Sequence, residues 1–358
     1  MKQERLVSLD VMRGLTVACM VLVNNGAGPD TYAPLKHSVW NGLTPCDLVF
    51  PFFLFMVGIS IYASLRKYSF SPSKEVVCKI LKRTVLLFAI GVLLHVWDMI
   101  TKGNWNILSE VRIWGVLQRI ALCYGIVSLA VLYIPLKRLV SVMFILLAAY
   151  MLILIWGNGY DMSEQNIIAV VDRTLFGQAH LYHKSPIDPE GLVSTLPAVV
   201  HTFIGFLCGK TLMGTINMNK KMKSLLVTSV GLFLATLCFY FGGFPLNKRI
   251  WSPSYVTCTC AIAIAVMLLL MLVIDKWGKR AWCKPFQMFG INAFFIYALS
   301  EVVAPALSHW GMKEPIYEFI NSMVPDTYLS SLLYALLFVF LMWIVAWALW
   351  KKQIIIKI

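Results

Sequence analysis

His37 and Asp47 stand ten residues apart in the run Leu35-Lys36-His37-Ser38-Val39-Trp40-Asn41-Gly42-Leu43-Thr44-Pro45-Cys46-Asp47. A neutral imidazole can take a proton from an attacking amine or hydroxyl at physiological pH, or attack an acyl group itself. A carboxylate within reach would hold the ring in one tautomer or receive a substrate's ammonium. Other ionisable residues interrupt apolar stretches: Asp10 and Arg13, Arg119 beside Gln118, His201 and Glu301. Asp10 and Arg13 are three apart and share a helix face. A charge at membrane depth costs at least about 2.5–3.5 kcal/mol and usually serves a purpose, although Arg13 also suits a simple interfacial anchor. The cysteines give no comparable signal. Cys258 and Cys260 form a C-x-C pair, but no second pair or histidine stands at zinc spacing, so no metal is expected.

The scaffold for these side chains follows from composition. Hydrophobic residues make up 59% of the 358 and charged residues 13%, about half the charge of a soluble domain. A hydrocarbon core of about 30 Å takes about 20 apolar residues per helix. Ten runs answer to that requirement: 14–25, 47–65, 84–97, 113–134, 139–156, 192–213, 224–241, 255–274, 286–306 and 328–350. No internal repeat or low-complexity linker divides them. The expected fold is therefore all-α: a polytopic membrane helix bundle of about ten transmembrane helices, one integral-membrane domain over 1–358. The start mimics a secretory signal, with basic, apolar and small residues in order. Asp10 and Arg13 break it at one end and Asn24-Asn25 at the other, so it reads as a retained first helix.

The formal charge is +14. In a soluble protein that excess would suggest nucleic acid; here it sorts by membrane side. Placing both termini in the cytoplasm puts 22 of the 31 basic residues and four of the 17 acidic ones on that side, as the positive-inside rule requires. No nucleic-acid partner is expected, and membrane lipids are. The opposite side collects histidines, acids and the aromatics Trp40, Trp105, Tyr160, Tyr182 and Trp251. Such a mixture describes either an aromatic belt or a surface where rings stack on sugars and amides bond hydroxyls.

Several segments together resemble the heparan-alpha-glucosaminide N-acetyltransferase family, whose bacterial members share its membrane core. They are Ser8 to Gly14, Val23 to Gly26, the run HSVWNGLTPCDLVFPFFLFMVG from His37, and Gly115 to Arg119. The likeness continues through Asp188-Pro189-Glu190-Gly191-Leu192, Pro245-Leu246-Asn247-Lys248, Trp251 to Val256, Gly290 to Ala293, and Glu301. The resemblance implies an acetyl-CoA-dependent transferase acting on the amino group of a glucosamine-type sugar across a membrane. It implies a catalytic role for His37, with Asp47 and Asn24 beside it. Arg5, Arg13, Asp10, Arg119 and Gln118 are then expected at the acetyl-CoA site. Trp40, Asn41, Asp188, Glu190, Asn247, Lys248, Trp251, Asn292 and Glu301 are expected at the sugar.

Basic residues on the cytoplasmic side would meet the donor's phosphates, with Lys79, Lys82 and Arg83 as further candidates. Asn24 and Asn41 could supply donors to a tetrahedral oxyanion. Relative to the family the chain is expected to lack the large luminal domain, so a bacterial-type amino sugar is the expected acceptor; a bacterial inner membrane is the expected location. Two routes stay open: direct attack by the amine with His37 as base, or acetylation of His37 first. A transporter for an amino sugar or small acid is the rival reading, and a homodimer through lipid-facing residues stays open.

Overall fold

A computed structural model describes residues 6–183, 185–214 and 217–356; Arg5 lies outside them. No strand occurs among the described residues. Among the described residues fourteen α-helices follow in order: α1 Val7–Asn24, α2 Pro45–Leu65, α3 Lys74–Thr101, α4 Ile107–Glu110, α5 Val116–Tyr133, α6 Leu136–Trp156, α7 Ile167–Phe176, α8 Thr195–Leu212, α9 Met218–Phe241, α10 Pro253–Leu270, α11 Cys283–Ile291, α12 Ala293–His309, α13 Lys313–Met323 and α14 Thr327–Lys351. Among the described residues, eight helices are long and apolar enough to cross a membrane: α1, α2, α5, α6, α8, α9, α10 and α14. A ninth crossing is made if α11 and α12, bent by 80° at Asn292, count as one span. The protein is a polytopic helical membrane protein.

The expected span at 84–97 is helical as well, though it is not among those eight. It is the middle of the 28-residue α3, whose first three turns carry Lys74, Glu75, Lys79, Lys82 and Arg83 and whose end carries Asp98. The first helix likewise begins earlier than expected, at Val7, so that Asp10 and Arg13 lie inside it.

Polar caps set several helix starts. Ser73, Asn217, Ser252 and Asp326 accept backbone N–H groups at the starts of α3, α9, α10 and α14, satisfying donors that a helix leaves free. The centre of the bundle is α2, α5, α8 and α10, most of whose residues are buried; α6, α9 and α14 turn most of theirs outward, as lipid-facing helices must. Close crossings use small residues, because lipid tails supply no hydrophobic drive between helices. A Cβ on Gly58 of α2 would strike Thr202 O and Phe206 N of α8, and one on Gly205 would strike Phe55 O. Gly14 of α1 and Gly290 of α11 meet backbone to backbone in the same way.

Outside the spans, residues 157–183 and 185–194 fold over α6 and α8. Tyr150, Leu154, Ile168, Ala169, Ile187 and Ile250 form a second core there. Asp172 of α7 is buried in this segment; its Oδ1 accepts Leu192 N at 3.0 Å, while Oδ2 has no partner. Burial pushes its carboxyl up to about 7, with Leu192 N–H and Arg119 opposing and the Asp188 charge adding. The folded protein thus holds this proton more tightly than the unfolded chain. The penalty is absent below about pH 4, grows from there to pH 7, and is complete above. Asp172→Asn is therefore expected to melt higher than the parent at pH 8 and to converge with it near pH 4, read by thermal unfolding in detergent. Equal melting temperatures at pH 8 would show Asp172 to be freely hydrated.

Candidate active site

The segment between α1 and α2 carries His37 through a short turn, Ala33–Leu35, and ends at the α2 cap. That cap is a reciprocal box in which Thr44 Oγ1 accepts Asp47 N while Asp47 Oδ2 accepts Thr44 N at 3.1 Å. Such a box folds the Asp47 side chain back over the helix start, towards the loop that holds His37. The carboxylate is wholly buried and its Oδ2 also accepts Ser38 N at 3.1 Å. Its Oδ1 lies 2.8 Å from His37 Nδ1. From α10, Tyr255 donates its hydroxyl to the Asp47 carbonyl at 2.6 Å, so the helix start cannot drift from the bundle centre. With Nδ1–H given to the carboxylate, Nε2 is left as the acceptor, an assignment made from the hydrogen bonds. The His37 side chain is about half exposed, at 49%. It is a base with one face held and the other open.

His37 lines a cavity of about 330 Å³ with Asn24, Tyr32, Lys36, Cys46 and Ser331. Asn24, at the end of α1, also lines a second, polar cavity of about 750 Å³. There its Nδ2 faces Glu301 Oε1 at 3.4 Å. Gln118 lines the same cavity, buried, with its Nε2 unpartnered. Arg112 forms part of the wall and holds the two acids of the 188–191 segment: Nη2 lies 2.6 Å from Asp188 Oδ1 and 2.7 Å from Glu190 Oε2. Burial alone would raise the Glu190 carboxyl, but the Arg112 and Arg119 charges hold it below its ordinary value. Asp188 and Glu190 are thus spent on Arg112, which in turn lies over the Tyr182 ring at 4.7 Å.

A third cavity of about 360 Å³ is lined by Arg13, Arg83, Ser60, Tyr124 and Asn292, with Ile355 and Ile356 of the tail. It lies at the other end of α1, eleven residues or about 17 Å from Asn24. Along α3 the lining passes from Arg83 and Leu87 in this cavity to Gly91 and His95 in the polar one, and along α5 from Tyr124 and Ile120 to Gln118. The two cavities follow one seam from end to end, parted by about a helical turn.

The residues singled out in the sequence therefore fall into distinct places. His37, Asp47, Asn24, Asn41 and Lys248 gather at one end; Asn247 Nδ2 donates to Asn41 Oδ1 at 3.1 Å, and Lys248 Nζ lies 3.0 Å from His37 Nδ1. Trp40 is nearby in the chain, but its Nε1 is taken by Tyr160 O at 2.9 Å. Trp251, expected on a sugar-facing surface, is fully buried between Phe50, His201 and Tyr255, so packing has removed it from any such surface. Arg119 is fully buried too, bound to Gly191 O at 3.0 Å and to Ser194 Oγ, with Trp251 across its guanidinium. It lines none of the three cavities described. Gln118 faces the polar cavity rather than the Arg13 end. Asp10 lies 4.0 Å from Arg13. Asn292 sits with Arg13, where its amide holds Ile354 O and Ile356 N, each at 2.9 Å. Two neighbours of His37 and Asp47 escaped sequence reasoning: Cys46, with Sγ 3.2 Å from His37 Nδ1, and Tyr255. Thr44-x-x-Asp47 was the signal that could have found Cys46, because the capping box turns the start of α2 onto the histidine.

The family profile described as heparan-alpha-glucosaminide N-acetyltransferase, catalytic, matches residues 5–242. The chain belongs to the heparan-alpha-glucosaminide N-acetyltransferase family. It is 30% identical to the mouse heparan-alpha-glucosaminide N-acetyltransferase over 84% of this chain and 54% of that protein. To the human heparan-alpha-glucosaminide N-acetyltransferase it is 28% identical, over 87% of this chain and 55% of that protein. The chain spans about half the length of the curated relatives it matches. The family profile covers His37, Asp47, Asn24 and the Arg112–Asp188–Glu190 group, while Asn247 and Lys248 lie beyond it.

Mutation of the buried carboxylate isolates its part in this arrangement. Asp47→Asn can keep the Ser38 and Thr44 N–H bonds through its oxygen, but its NH₂ must then face His37 Nδ1 and force the other tautomer. The nitrogen that faces the open side would then carry the proton and could accept none. A fall of about 10²–10⁴-fold in kcat with little change in melting temperature is expected, measured by the acetyl-transfer assay described below. Near-parental kcat in a folded Asp47→Asn protein would remove Asp47 from the mechanism.

Proposed function

We propose that the protein is a membrane acetyltransferase that moves acetyl from acetyl-CoA to the amino group of a glucosamine-type sugar, with His37 as the group that handles the amine's proton. The observation that carries this reading is the His37–Asp47 pair on a cavity that shares Asn24 with a large polar cavity, while Arg13 and Arg83 line a cavity at the far end of the same seam. The two ends suit two unlike substrates. Arg13 and Arg83 would meet the donor's phosphates, since guanidinium groups bind such oxygens in forked pairs. Arg83 Nε is buried without a partner there. The pantetheine arm would lie along the seam between α3 and α5, bringing the thioester towards Asn24 and His37. The sugar would enter from the opposite side through the polar cavity, where Glu301 and the free amide nitrogen of Gln118 suit an ammonium and a hydroxyl.

In this reading the Arg13 end and both termini face the cytoplasm of a bacterial inner membrane, which the positive-inside distribution of charge supports. In the direct route the amine nitrogen attacks the thioester carbonyl while His37 Nε2 takes its proton; collapse of the tetrahedral adduct breaks the C–S bond, and the imidazolium returns the proton to the departing thiolate. Protein purified in detergent, given acetyl-CoA and glucosamine, is expected to release N-acetylglucosamine and CoA in equal amounts, read by mass spectrometry. Absence of product together with CoA-independent uptake of labelled glucosamine into proteoliposomes would replace this reading with transport.

A further inference from the structure

Lys248 comes from the turn between α9 and α10, 211 residues after His37. The turn is locked to the histidine loop. Gly42 N donates to Leu246 O at 2.8 Å and Asn247 Nδ2 to Asn41 Oδ1 at 3.1 Å. Within the turn, Ile250 N donates to Asn247 Oδ1 at 3.2 Å, and Asn247 N to Ser252 Oγ at 3.0 Å. From this mount the Lys248 side chain, 13% exposed, brings Nζ to 3.0 Å from His37 Nδ1, 3.3 Å from Nε2 and 3.5 Å from Asp47 Oδ1. A lysine near a surface ordinarily sends its ammonium to water. This one is aimed at another basic group, a contact that is favourable only with a neutral ring. Nearly equidistant from the two ring nitrogens and close to the Asp47 carboxylate, the ammonium stands beside the ring and off the line of the Nε2 lone pair, which stays open for a proton.

We propose that Lys248 is a catalytic residue whose ammonium receives the negative charge that develops on the acyl oxygen while His37 takes the proton of the attacking amine. The proposal rests on the acetyl-transfer reading above. An ammonium has three N–H donors, and a hydrogen bond to an oxyanion is about twice as strong as one to a neutral acceptor. As the amine nitrogen bonds to the thioester carbon, the carbonyl π pair moves to oxygen. That oxygen accepts a Lys248 N–H while the open Nε2 of His37 takes the amine proton. Collapse returns the pair to the carbonyl, breaks C–S, and releases the Lys248 N–H; Lys248 stays an ammonium throughout. Asn41 and Asn247 are positioning residues for this step.

The test is chemical rescue. Lys248→Ala is expected to lose about 10²–10³-fold in kcat, the cost of removing one oxyanion donor, with KM for acetyl-CoA and glucosamine within about threefold of the parent. Methylammonium should restore N-acetylglucosamine formation saturably. Tetramethylammonium, of equal charge but without N–H, should not. A kcat within threefold of the parent, or a loss that methylammonium leaves unmoved in protein of parental melting temperature, overturns the proposal. If Lys248→Ala does not fold, Lys248→Arg and Lys248→Gln carry the test: Arg keeps a charged donor and should exceed Gln at least tenfold in kcat, and equality overturns the proposal. An active parent with an indifferent Lys248→Ala removes this proposal alone, whereas a parent inactive with acetyl-CoA and glucosamine removes the acetyl-transfer reading and this proposal together.

Discussion

His37→Ala is expected to lower kcat for acetyl transfer by about 10²–10⁴-fold, the range contributed by a positioned general base, while leaving the melting temperature near that of the parent. The two halves of that expectation have separate grounds. His37 is half exposed and contributes little packing. After its removal Asp47 still holds the Ser38 and Thr44 N–H groups and has Lys248 Nζ at 3.5 Å, so no buried charge is stranded. The chemistry has no such reserve. Cys46 is the other nucleophile beside the ring, and Lys248 carries no lone pair while it is an ammonium. The same protein separates the two routes. If His37 is acetylated first, the parent enzyme mixed with acetyl-CoA alone releases one equivalent of CoA and gains one acetyl on His37. In the direct route it does neither until the sugar is added. A His37→Ala protein of parental kcat would end the histidine mechanism in both forms.

Most of the scaffold was legible because each run of apolar residues had one way to be satisfied in a membrane. The stretches at 47–65, 139–156 and 328–350 return as α2, α6 and α14 within three residues at each end. Where the outline was wrong, charge inside a helix was the cause. Asp10 and Arg13 stand outside the apolar run at 14–25, yet the helix runs past them to Val7; the charged turns of α3 leave only 14 of its 28 residues in the apolar run at 84–97. The bend at Asn292 had no apolar signature, because the amide there is spent on the backbone of residues 354–356.

The site was legible to the extent that its parts are local. The capping box at Thr44 and Asp47 is written in four consecutive residues, and it places Asp47 beside His37. Residue type alone could not separate the acids that face a cavity from those consumed in the fold. Asp188 and Glu190 are used by Arg112, whereas Glu301 faces Asn24 in the polar cavity. Trp251 and Arg119 show the same limit, since both types serve at ligand sites and both are here enclosed against each other. Long-range partners were the least visible. Nothing in the sequence spacing sets Lys248 against His37; the Asn41–Asn247 clamp does so, and it exists only once α9 and α10 are packed.

Gly58→Val is expected to prevent recovery of a monodisperse, folded protein, and Gly58→Ala to lower the melting temperature. The sign is informative, because alanine in a helix interior is ordinarily favoured over glycine by about 1 kcal/mol. At Gly58 that gain is outweighed, since a Cβ has no room against Thr202 O, Phe206 N and the Gly205 carbonyl carbon. These are backbone atoms of a buried helix, and they cannot rotate aside as a side chain would. Overpacking of a tight contact costs typically about 1–3 kcal/mol, and more when the backbone must move. Gly231 of α9 supplies the control: a Cβ there meets nothing within 4 Å, so Gly231→Ala should be neutral or stabilising. The α2–α8 crossing also bears on the proposed chemistry. Asp47 lies eleven residues up the same helix, about 17 Å away, and is tied to α10 by Tyr255. Parting α2 from α8 would tilt the start of α2 against that tie and pull Asp47 off His37. Gly58→Ala should therefore lose kcat as well as stability, measured by acetyl transfer and by thermal unfolding in the same detergent. Equal melting temperatures for Gly58→Ala, Gly231→Ala and the parent would mean that the two helices do not meet at Gly58.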